Sequence, residues 1–298
     1  MRQTDNKKSV LVTGSSGFIG HAITHALEKR GYRIVPFDKL EGYDVLDKSK
    51  LGEALKQVDG VIHLGSPSSV LDYFEDQEGF WNTTVVGLMN ILELYKGRIV
   101  FPSTCTVYGQ SLAAKENQRL PEPPNSYAAA KIECERLCFL HNLSGGDVKT
   151  VRIFTGYGPE EWIKKYPSPV TLFMKDMCNG TRPVIYGDGL QTKDFVFIDD
   201  IVNYLIEALE TESQEKIFNI GTGVGSSFLK VIDLINKELG TNTKPIFSKK
   251  PQNRRFIQTI VANMDSSEKE LKYKPSFSIE HGIKITIKKY LSLLNRFA

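Results

Sequence analysis

The residues best suited to chemistry are a tyrosine and a lysine four positions apart, Tyr127 and Lys131, in an alanine-rich stretch. The pattern from Tyr127 to Leu140 predicts a helix, and positions four apart on a helix share a face. A lysine ammonium beside a phenol favours the phenolate, so a group that ordinarily titrates near ~10 can act as a base closer to neutrality. The same spacing also arises by chance on solvated helix faces, so the surrounding elements decide the interpretation.

A glycine-rich turn between a strand and a helix predicts a dinucleotide cradle near the start of the chain. The apolar run Ser9–Thr13 leads into Gly14, Gly17 and Gly20, and a helical pattern continues to Gly31. Glycines let backbone amides approach a pyrophosphate at a helix N-terminus, where the helix dipole favours negative charge. A plain tight turn is the alternative, but the flanking strand and helix are the context that the motif needs.

An acid at the end of the second predicted strand indicates which dinucleotide binds. Tyr32 to Phe37 is the strand, and Asp38 follows it, about 20 residues past the glycines. A carboxylate at this point suits the ribose 2′-hydroxyl of NAD and would repel the additional phosphate of NADP. The predicted cofactor is therefore NAD.

Strand and helix patterns alternate through the first half, which predicts an α/β protein with a Rossmann-type, doubly wound parallel sheet. The further helices are predicted at 48–58 and 82–95, and the further strands at 61–65, 98–101 and 148–154. Ligands bind such sheets at the carboxyl ends of the strands, where Gly65, Ser103 and Thr104 fall. Loop capping is the alternative role for the two hydroxyl residues. His63 is interpreted as a structural residue at a strand end.

The pattern changes after Pro159, and this change predicts a smaller, discontinuous α/β substrate-binding subdomain. A loop or short helix is predicted at 160–169, with helices at 170–178, 199–209 and 228–239. A strand at 216–220 is expected to rejoin the main sheet. The predicted division assigns 1–158 plus 191–221 to an NAD-binding subdomain and 159–190 plus 222–298 to the substrate subdomain.

Composition excludes several classes of function. The net charge of 38 − 35 = +3 is too small to indicate nucleic-acid binding. The four cysteines show no metal-ligand pattern, and Cys134 and Cys138 are expected to be buried thiols in a reducing compartment. No stretch is apolar and long enough for a membrane span, and the first residues lack the apolar core of a signal peptide. We therefore expect a cytoplasmic protein without a metal site.

Together the motifs resemble one family over nearly the whole chain: the extended short-chain dehydrogenases/reductases, and among them the nucleotide-sugar epimerases and dehydratases. The resemblance rests on several short motifs and on one long one. They are Thr13-Gly14-x-x-Gly17-x-x-Gly20, Asp38, Asp44-Val45, His63-Leu64-Gly65-Ser66, Asn82, Ser103-Thr104, Tyr127-x-x-x-Lys131, the run from Arg152 to Pro159 and the run from Ile185 to Ile201.

The resemblance implies roles for individual residues. Tyr127 would be the catalytic base, Lys131 would bind the nicotinamide ribose and tune the tyrosine, and Thr104, rather than Ser103, would provide the hydroxyl that contacts the reacting sugar oxygen. The implied NAD-binding residues are Gly14, Ser16, Gly17, Phe18, Ile19, Gly20, Asp38, Asp44, Val45, Leu64, Gly65, Ser66, Asn82, Ser103, Tyr127 and Lys131. The implied substrate-binding residues are Ser103, Thr104, Tyr127, Thr155, Gln191, Lys193, Arg254 and Arg255.

The residues after Thr104 separate the branches of this family. Family dehydratases carry Asp-Glu there, and decarboxylases keep the glutamate, whereas this chain has Cys105 and Thr106. A fucose-nucleotide epimerase-reductase needs a downstream histidine, and none occurs between His141 and His281. The remaining set favours an NAD-dependent UDP-hexose 4-epimerase of the UDP-glucose/UDP-galactose type. The alternatives are a dehydrogenase or reductase with net cofactor turnover and a non-catalytic NAD-sensing protein.

Two surface features concern partners. Residues 244–258 carry five cations and no acid, which indicates either a solvated basic loop or a clamp on the substrate diphosphate, with Lys193 and either Arg254 or Arg255. Lys193 and Thr155 depart from the arginine and asparagine more usual in the family. The helices at 82–95 and 127–140 carry apolar residues on more than one face, and the equivalent family helices pair across a dimer, so we expect a homodimer.

Overall fold

The computed structural model describes residues 7–249 and 257–297, in which strands and helices alternate as predicted. The strands are β1 (Ser9–Thr13), β2 (Arg33–Phe37), β3 (Gly60–His63), β4 (Arg98–Thr104), β5 (Ser111–Ala114), β6 (Asp147–Ile153), β7 (Thr155–Tyr157), β8 (Val184–Tyr186), β9 (Thr192–Phe197), β10 (Ile217–Ile220), β11 (Gly225–Ser227), β12 (Ile246–Ser248) and β13 (Thr259–Ala262). The helices are α1 (Phe18–Lys29), α2 (Lys48–Leu55), α3 (Val70–Glu75), α4 (Gln77–Trp81), α5 (Gly87–Leu94), α6 (Ser126–Leu143), α7 (Pro169–Cys178), α8 (Ile198–Glu210), α9 (Phe228–Leu239), α10 (Asp265–Leu271) and α11 (Ile279–Phe297).

The central sheet has six parallel strands in the order β10-β6-β4-β3-β1-β2. Both of its faces are covered, so its strands are apolar on both sides. Along β1, Val10 and Val12 face one core together with α1 and α8, while Leu11 faces a second core with α2, α5 and α6. This arrangement is the predicted doubly wound sheet, and the strand after α8 rejoins it beside β6 as expected.

A second sheet lies beside the carboxyl ends of the central strands, with the order β11-β9-β13-β5 and with β7 also paired to β9. β8 and β12 form a separate parallel pair. The predicted division of the chain into two subdomains assigns β5 and β9 to the NAD-binding part, but both strands pair in the second sheet. The division itself stays a prediction.

The helix predicted at 82–95 begins earlier than expected. It starts at Gln77, where the Asp76 carboxylate accepts a hydrogen bond from the Gly79 amide at 2.9 Å, and it passes through a π-helical segment, Asn82–Val86, before α5. The wider turn changes which side chains face the sheet edge. No helix in residues 7–249 and 257–297 is long and apolar enough to cross a membrane.

Candidate active site

Tyr127 and Lys131 lie in the first turns of α6, with both side chains buried. The helix begins there because the Asn125 side chain accepts a hydrogen bond from the Ala128 amide at 2.9 Å. The Tyr127 ring packs against Phe80, with ring centroids 6.1 Å apart. Tyrosine and lysine therefore lie one turn apart on the face of α6 that meets the carboxyl end of β4.

The Lys131 ammonium is held by two acceptors at the sheet edge. Its Nζ donates to the Pro102 carbonyl at 3.0 Å and to the Ser66 hydroxyl at 3.2 Å. Burial raises the pKa of Tyr127 above its ordinary range, and the neighbouring Thr104 hydroxyl opposes that rise. Desolvation thus outweighs any lowering of this pKa by Lys131, whose ammonium is hydrogen-bonded elsewhere, so the tuning role of Lys131 stays a prediction for the NAD-bound site.

The two hydroxyl residues at the end of β4 have different surroundings. Thr104 Oγ1 lies 3.0 Å from Thr106 Oγ1, beside the tyrosine. Ser103 Oγ donates to Glu135 Oε1 at 2.5 Å, behind the sheet edge. The geometry supports Thr104 over Ser103 as the hydroxyl for a reacting group, and this assignment remains a prediction.

A cavity of about 360 Å³, here called the tyrosine cavity, brings the predicted residues together. Tyr127, Lys131, Ser103, Thr104 and Thr155 all line it. So do four further residues of the cofactor prediction. These are Phe18, Ile19, Leu64 and Ser66.

The wall of the tyrosine cavity also contains an acid that the sequence argument missed. Glu161 is fully buried there, and burial raises the pKa of its carboxyl group. Its oxygens accept hydrogen bonds from the Ser168 amide and hydroxyl, both at 2.7 Å, and from the Thr171 hydroxyl. Glu161 thus anchors the 160–168 segment to the start of α7. No sequence motif indicated that Glu161, two residues after Pro159, would line the same cavity as Tyr127.

The glycine turn has the shape that a dinucleotide requires. Gly14 has φ +68°, and a Cβ on Gly20 would lie 1.9 Å from the Gly14 carbonyl oxygen. A side chain at Gly20 would therefore push the turn away from the start of α1, whose amides point toward the cavities. The Ser16 amide donates to Asp38 Oδ2 at 3.1 Å, so the ribose-binding acid is tied to the same turn. These residues fit NAD.

A cavity of about 320 Å³, the Asp38 cavity, continues from the glycine turn. It is lined by Gly14, Gly17, Asp38, Val45 and Gly65, all of which were predicted cofactor contacts. Four other predicted contacts, Ser16, Gly20, Asp44 and Asn82, line neither this cavity nor the tyrosine cavity. Asp44 is paired with Lys39 at 3.1 Å, and Asn82 is replaced at the wall by Thr83. The π-helical segment that begins at Asn82 explains this shift by one residue, which spacing along a regular helix could not reveal.

His63 is fully buried at the end of β3 and borders the tyrosine cavity. Its Nδ1 lies 2.7 Å from Thr13 Oγ1, which also accepts a hydrogen bond from the Gly65 amide at 2.9 Å. Burial, aided by the Lys131 charge, lowers the pKa of His63 to about 3. The structure agrees with the interpretation of His63 as a structural residue, because it joins β1 to the loop after β3.

The low pKa of His63 predicts acid sensitivity. Between pH 6.5 and about 3 the unfolded chain binds a proton at His63 that the folded chain does not, so stability falls as pH falls through this window. We expect the group to contribute a slope approaching ~1.4 kcal/mol per pH unit. Chemical denaturation at several pH values should show a shallower slope for His63→Gln. The exposed His281→Gln should keep the wild-type slope, and an unchanged slope in His63→Gln would contradict the prediction.

The predicted substrate residues are divided between two cavities. Thr155 lines the tyrosine cavity, whereas Gln191 and Lys193 line a larger, mostly apolar cavity of about 600 Å³. Lys193 Nζ donates to the Ile257 carbonyl at 2.6 Å. The two cavities share Val70 and Thr106, so they adjoin. Arg254 and Arg255 lie outside the described residues.

A further cavity of about 440 Å³, here called the bridging cavity, adjoins two of the cavities already described. It shares Lys39 and Thr83 with the Asp38 cavity, and Ser69 and Lys164 with the tyrosine cavity. The Asp38 and tyrosine cavities also share Leu64, Ser66 and Pro67, so these three cavities meet around the loop 64–69, and the apolar cavity adjoins the tyrosine cavity. The four adjoining cavities offer space for a dinucleotide on one side of Tyr127 and for a second extended ligand on the other.

A Rossmann-type sheet, a glycine cradle and a buried tyrosine–lysine pair define a dinucleotide-dependent enzyme of the short-chain dehydrogenase/reductase type. The model of the NAD dependent epimerase/dehydratase family matches residues 10–221, and the chain belongs to this family. NAD is accordingly its cofactor, as predicted, and the expected fold and enzyme class are confirmed.

Two relatives and one solved structure show the extent of the similarity. The chain is 30% identical over 310 residues to UDP-glucuronate 4-epimerase of Thermodesulfobacterium geofontis, covering 93% of this chain and 94% of the relative. It is also 30% identical over 299 residues to a putative UDP-glucose 4-epimerase of Methanocaldococcus jannaschii, covering 92% and 96%. The structure of the Bacillus cereus UDP-glucuronic acid 4-epimerase with UDP-glucuronic acid and NAD matches with a TM-score of 0.86 at 26% identity, covering 96% and 99%. The chain is thus similar to NAD-dependent nucleotide-sugar 4-epimerases.

Proposed function

We propose that the protein interconverts the C4 epimers of a UDP-hexose, with UDP-glucose and UDP-galactose as the first pair to test. The observation that carries this proposal is that Tyr127, Thr104 and Lys131 share one cavity between the NAD-binding cavities and the apolar cavity. Cys105 and Thr106 occupy the positions at which dehydratases of this family carry Asp-Glu for the elimination of water. Burial raises the pKa of Cys105 to about 12, so its thiol is a poor substitute. The site therefore suits reversible oxidation at one carbon.

Tyr127, Thr104 and Lys131 have different roles in the proposed reaction. With NAD bound, the positive nicotinamide and the Lys131 ammonium would stabilise Tyr127 as a phenolate. The phenolate accepts the proton of the sugar 4-hydroxyl, and the Thr104 hydroxyl hydrogen-bonds the same oxygen and orients it. NAD would supply a reversible hydride acceptor for C4, and the tyrosine cavity would have to let the 4-keto sugar turn over before the hydride is returned to its other face. Lys131, fixed by Pro102 and Ser66, places its amino group beside the reacting groups, and burial lowers the pKa of this group.

The apolar cavity suits the uridine part of the substrate. Tyr186, Phe173 and Phe228 give it aromatic walls, and Gln191 and Lys193 add polar groups that can orient a base or a phosphate. Its contact with the tyrosine cavity at Thr106 would let the sugar reach Tyr127 while the nucleotide remains in the apolar part.

UDP-glucuronate is the second candidate substrate, because the Thermodesulfobacterium and Bacillus cereus relatives bear that name. We favour a neutral hexose because the sugar cavity already contains the acidic side chain of Glu161, whose acceptor oxygens are saturated by Ser168 and Thr171. Because these oxygens already accept from Ser168 and Thr171, Glu161 offers no hydrogen-bond donor to a sugar carboxylate.

The deciding experiment follows each sugar by proton NMR. Purified protein with NAD would be incubated separately with UDP-glucose, UDP-galactose, UDP-glucuronate and UDP-N-acetylglucosamine. We expect the C4 epimer of a neutral hexose to appear without accumulation of NADH. Net NADH formation would favour the dehydrogenase alternative, epimerisation of UDP-glucuronate alone would replace the substrate, and no turnover together with tight NAD binding would favour the NAD-sensing alternative.

We further propose that the active form is a homodimer built on α5 and α6. Phe139, Leu140 and Leu143 on α6 are 61%, 57% and 69% exposed, and Val86 and Met89 beside them are 37% and 46% exposed. Such a group of large apolar side chains is typical of a buried interface.

Charge placed in this apolar group should separate the dimer. We expect Leu140→Asp to raise the dimer Kd by at least ~100-fold, because an unpaired carboxylate in an interface costs about 3 kcal/mol or more. Light scattering after size-exclusion chromatography measures the effect. Leu112, 76% exposed on β5, offers the control variant Leu112→Asp. A wild-type monomer, or equal dimerisation of both variants, would contradict the prediction.

A further inference from the structure

A short segment of the substrate side, residues Glu160–Tyr166, crosses the dinucleotide cleft and is here called the strap. At its start, His21 Nδ1 on α1 donates to Glu160 Oε2 at 2.9 Å. At its end, Lys165 Nζ and the Tyr166 hydroxyl both donate to Glu75 at the end of α3, the former at 2.5 Å. The strap therefore contacts both sides of the cleft. One side is α1, which follows the glycine turn, and the other is α3, which follows the loop after β3.

The backbone of the strap is held in an uncommon conformation. Glu160 has φ +71°, in the left-handed region that side chains other than glycine rarely adopt. Such conformations cost about 1 kcal/mol or more and persist where the surroundings impose them, often at ligand clamps. Here the His21 contact and the burial of Glu161 impose the conformation, and the strap then passes directly over the start of α1.

Lys164 is the cation that the strap places at the centre of the cleft. Its Nζ lies 6.0 Å from the centroid of the Phe18 ring, at the first residue of α1. Its side chain is 27% exposed and borders both the tyrosine and the bridging cavities. The nearest carboxylate, Glu161 Oε1, is 3.7 Å away and is already hydrogen-bonded to the Ser168 amide.

The diphosphate of a bound dinucleotide would lie beside the α1 N-terminus, close to Lys164. The adenosine half belongs in the Asp38 cavity and the nicotinamide half in the tyrosine cavity, so the diphosphate passes between them above the α1 N-terminus. The other lysines beside this path are engaged: Lys39 pairs with Asp44 at 3.1 Å, and Lys131 donates to Pro102 and Ser66. The loop 64–69 on the facing wall contains hydroxyl groups but no cation.

We infer that Lys164 is a cofactor-binding residue: its ammonium contacts the NAD diphosphate from the strap side, opposite the amides of α1. The dianion is then held between a helix N-terminus and a lysine, and the strap must lift before NAD can leave. This inference rests on the proposed function only in so far as NAD is the cofactor, and it names a residue that the glycine motif does not include.

The test is calorimetric titration of the whole protein with NAD, ADP-ribose and AMP, comparing wild type, Lys164→Gln and Lys164→Arg. A lost charge-assisted hydrogen bond should weaken NAD and ADP-ribose binding by about tenfold or more, because both carry the diphosphate, and AMP binding should change less. Lys164→Arg should restore most of the affinity. Lys175→Gln, on neighbouring α7, is the matched control and should bind NAD as wild type does.

An unchanged NAD affinity in Lys164→Gln would overturn the assignment while the epimerase proposal stands. If the KM for the UDP-sugar rises at the same time, Lys164 contacts the substrate instead. If wild-type protein binds NAD and the variant loses that binding, but no UDP-sugar is epimerised, the assignment holds and the proposed function fails.

The strap contacts provide an independent variant. Glu75→Gln removes the charge that fastens Lys165 and Tyr166 without altering Lys164. We expect NADH to dissociate several-fold faster in stopped-flow fluorescence, because the strap lifts more often. A dissociation rate equal to that of wild type would show that the strap does not retain the cofactor.

Discussion

Tyr127→Phe is expected to lower kcat for epimerisation by about 10²–10⁴-fold, the range typical of a lost general base. Two other charged groups that line the tyrosine cavity are already engaged. Lys131 donates its protons to Pro102 and Ser66, and the Glu161 oxygens accept from Ser168 and Thr171. The Thr104 hydroxyl is too weak an acid and too weak a base to act alone at neutral pH.

The same substitution should leave the cofactor in place. The Tyr127 ring packs on Phe80, and phenylalanine keeps that contact. We therefore expect NAD affinity within about threefold of wild type, which separates lost chemistry from lost binding. Tyr95, whose hydroxyl donates to the Val58 carbonyl at 3.3 Å away from the site, gives the control Tyr95→Phe. Turnover by Tyr127→Phe at a wild-type rate would remove the tyrosine from the mechanism.

Arg152→Met should cause the largest loss of stability. Arg152 is 3% exposed and forms a two-pronged pair with Glu135, with Nε–Oε1 and Nη2–Oε2 distances of 3.0 and 2.7 Å. Its Nη1 also donates to the Tyr108 hydroxyl at 2.9 Å. Removing one partner of a buried ion pair leaves an uncompensated charge and costs about 3–5 kcal/mol.

This pair also positions the candidate active site. Glu135 lies one turn after Lys131 on α6, accepts the Ser103 hydroxyl at the end of β4, and meets Arg152 on β6. The pair therefore joins the helix that carries the tyrosine to the two strands beside it. We expect Arg152→Met to lower kcat as well as the melting temperature, because α6 loses its register against β4.

Two comparisons make the stability prediction specific. Glu135→Leu combined with Arg152→Met should recover much of the lost free energy of unfolding, since no charge is then left unpaired. Lys56→Ala breaks the exposed pair with Glu53, in which both side chains are 70% exposed, and should cost under ~1 kcal/mol. Urea denaturation measures all three variants. A cost for Arg152→Met no greater than that for Lys56→Ala would refute the prediction.

Local sequence determined most of the fold and the outline of the site. The alternation of apolar runs and helical patterns predicts the parallel sheet because each element has its own period, and the glycines at 14, 17 and 20 predict the turn because few other residues can form it. The spacing of Tyr127 and Lys131 places both on one face of α6. The family resemblance then indicated Thr104, NAD and a nucleotide sugar, and the family and the cofactor are confirmed.

Only the tertiary structure decided the properties that depend on atoms from distant elements. It turned the Ser103 hydroxyl toward Glu135, placed Thr83 rather than Asn82 at the cavity wall, and brought Glu161 and Lys164 to the tyrosine cavity. It also showed that burial acts on the pKa of Tyr127 against the lowering that a neighbouring lysine would cause. Spacing along one element determines which side chains share a face. Desolvation and hydrogen-bond partners depend on what packs against that face, and here those groups come from segments far apart in the sequence.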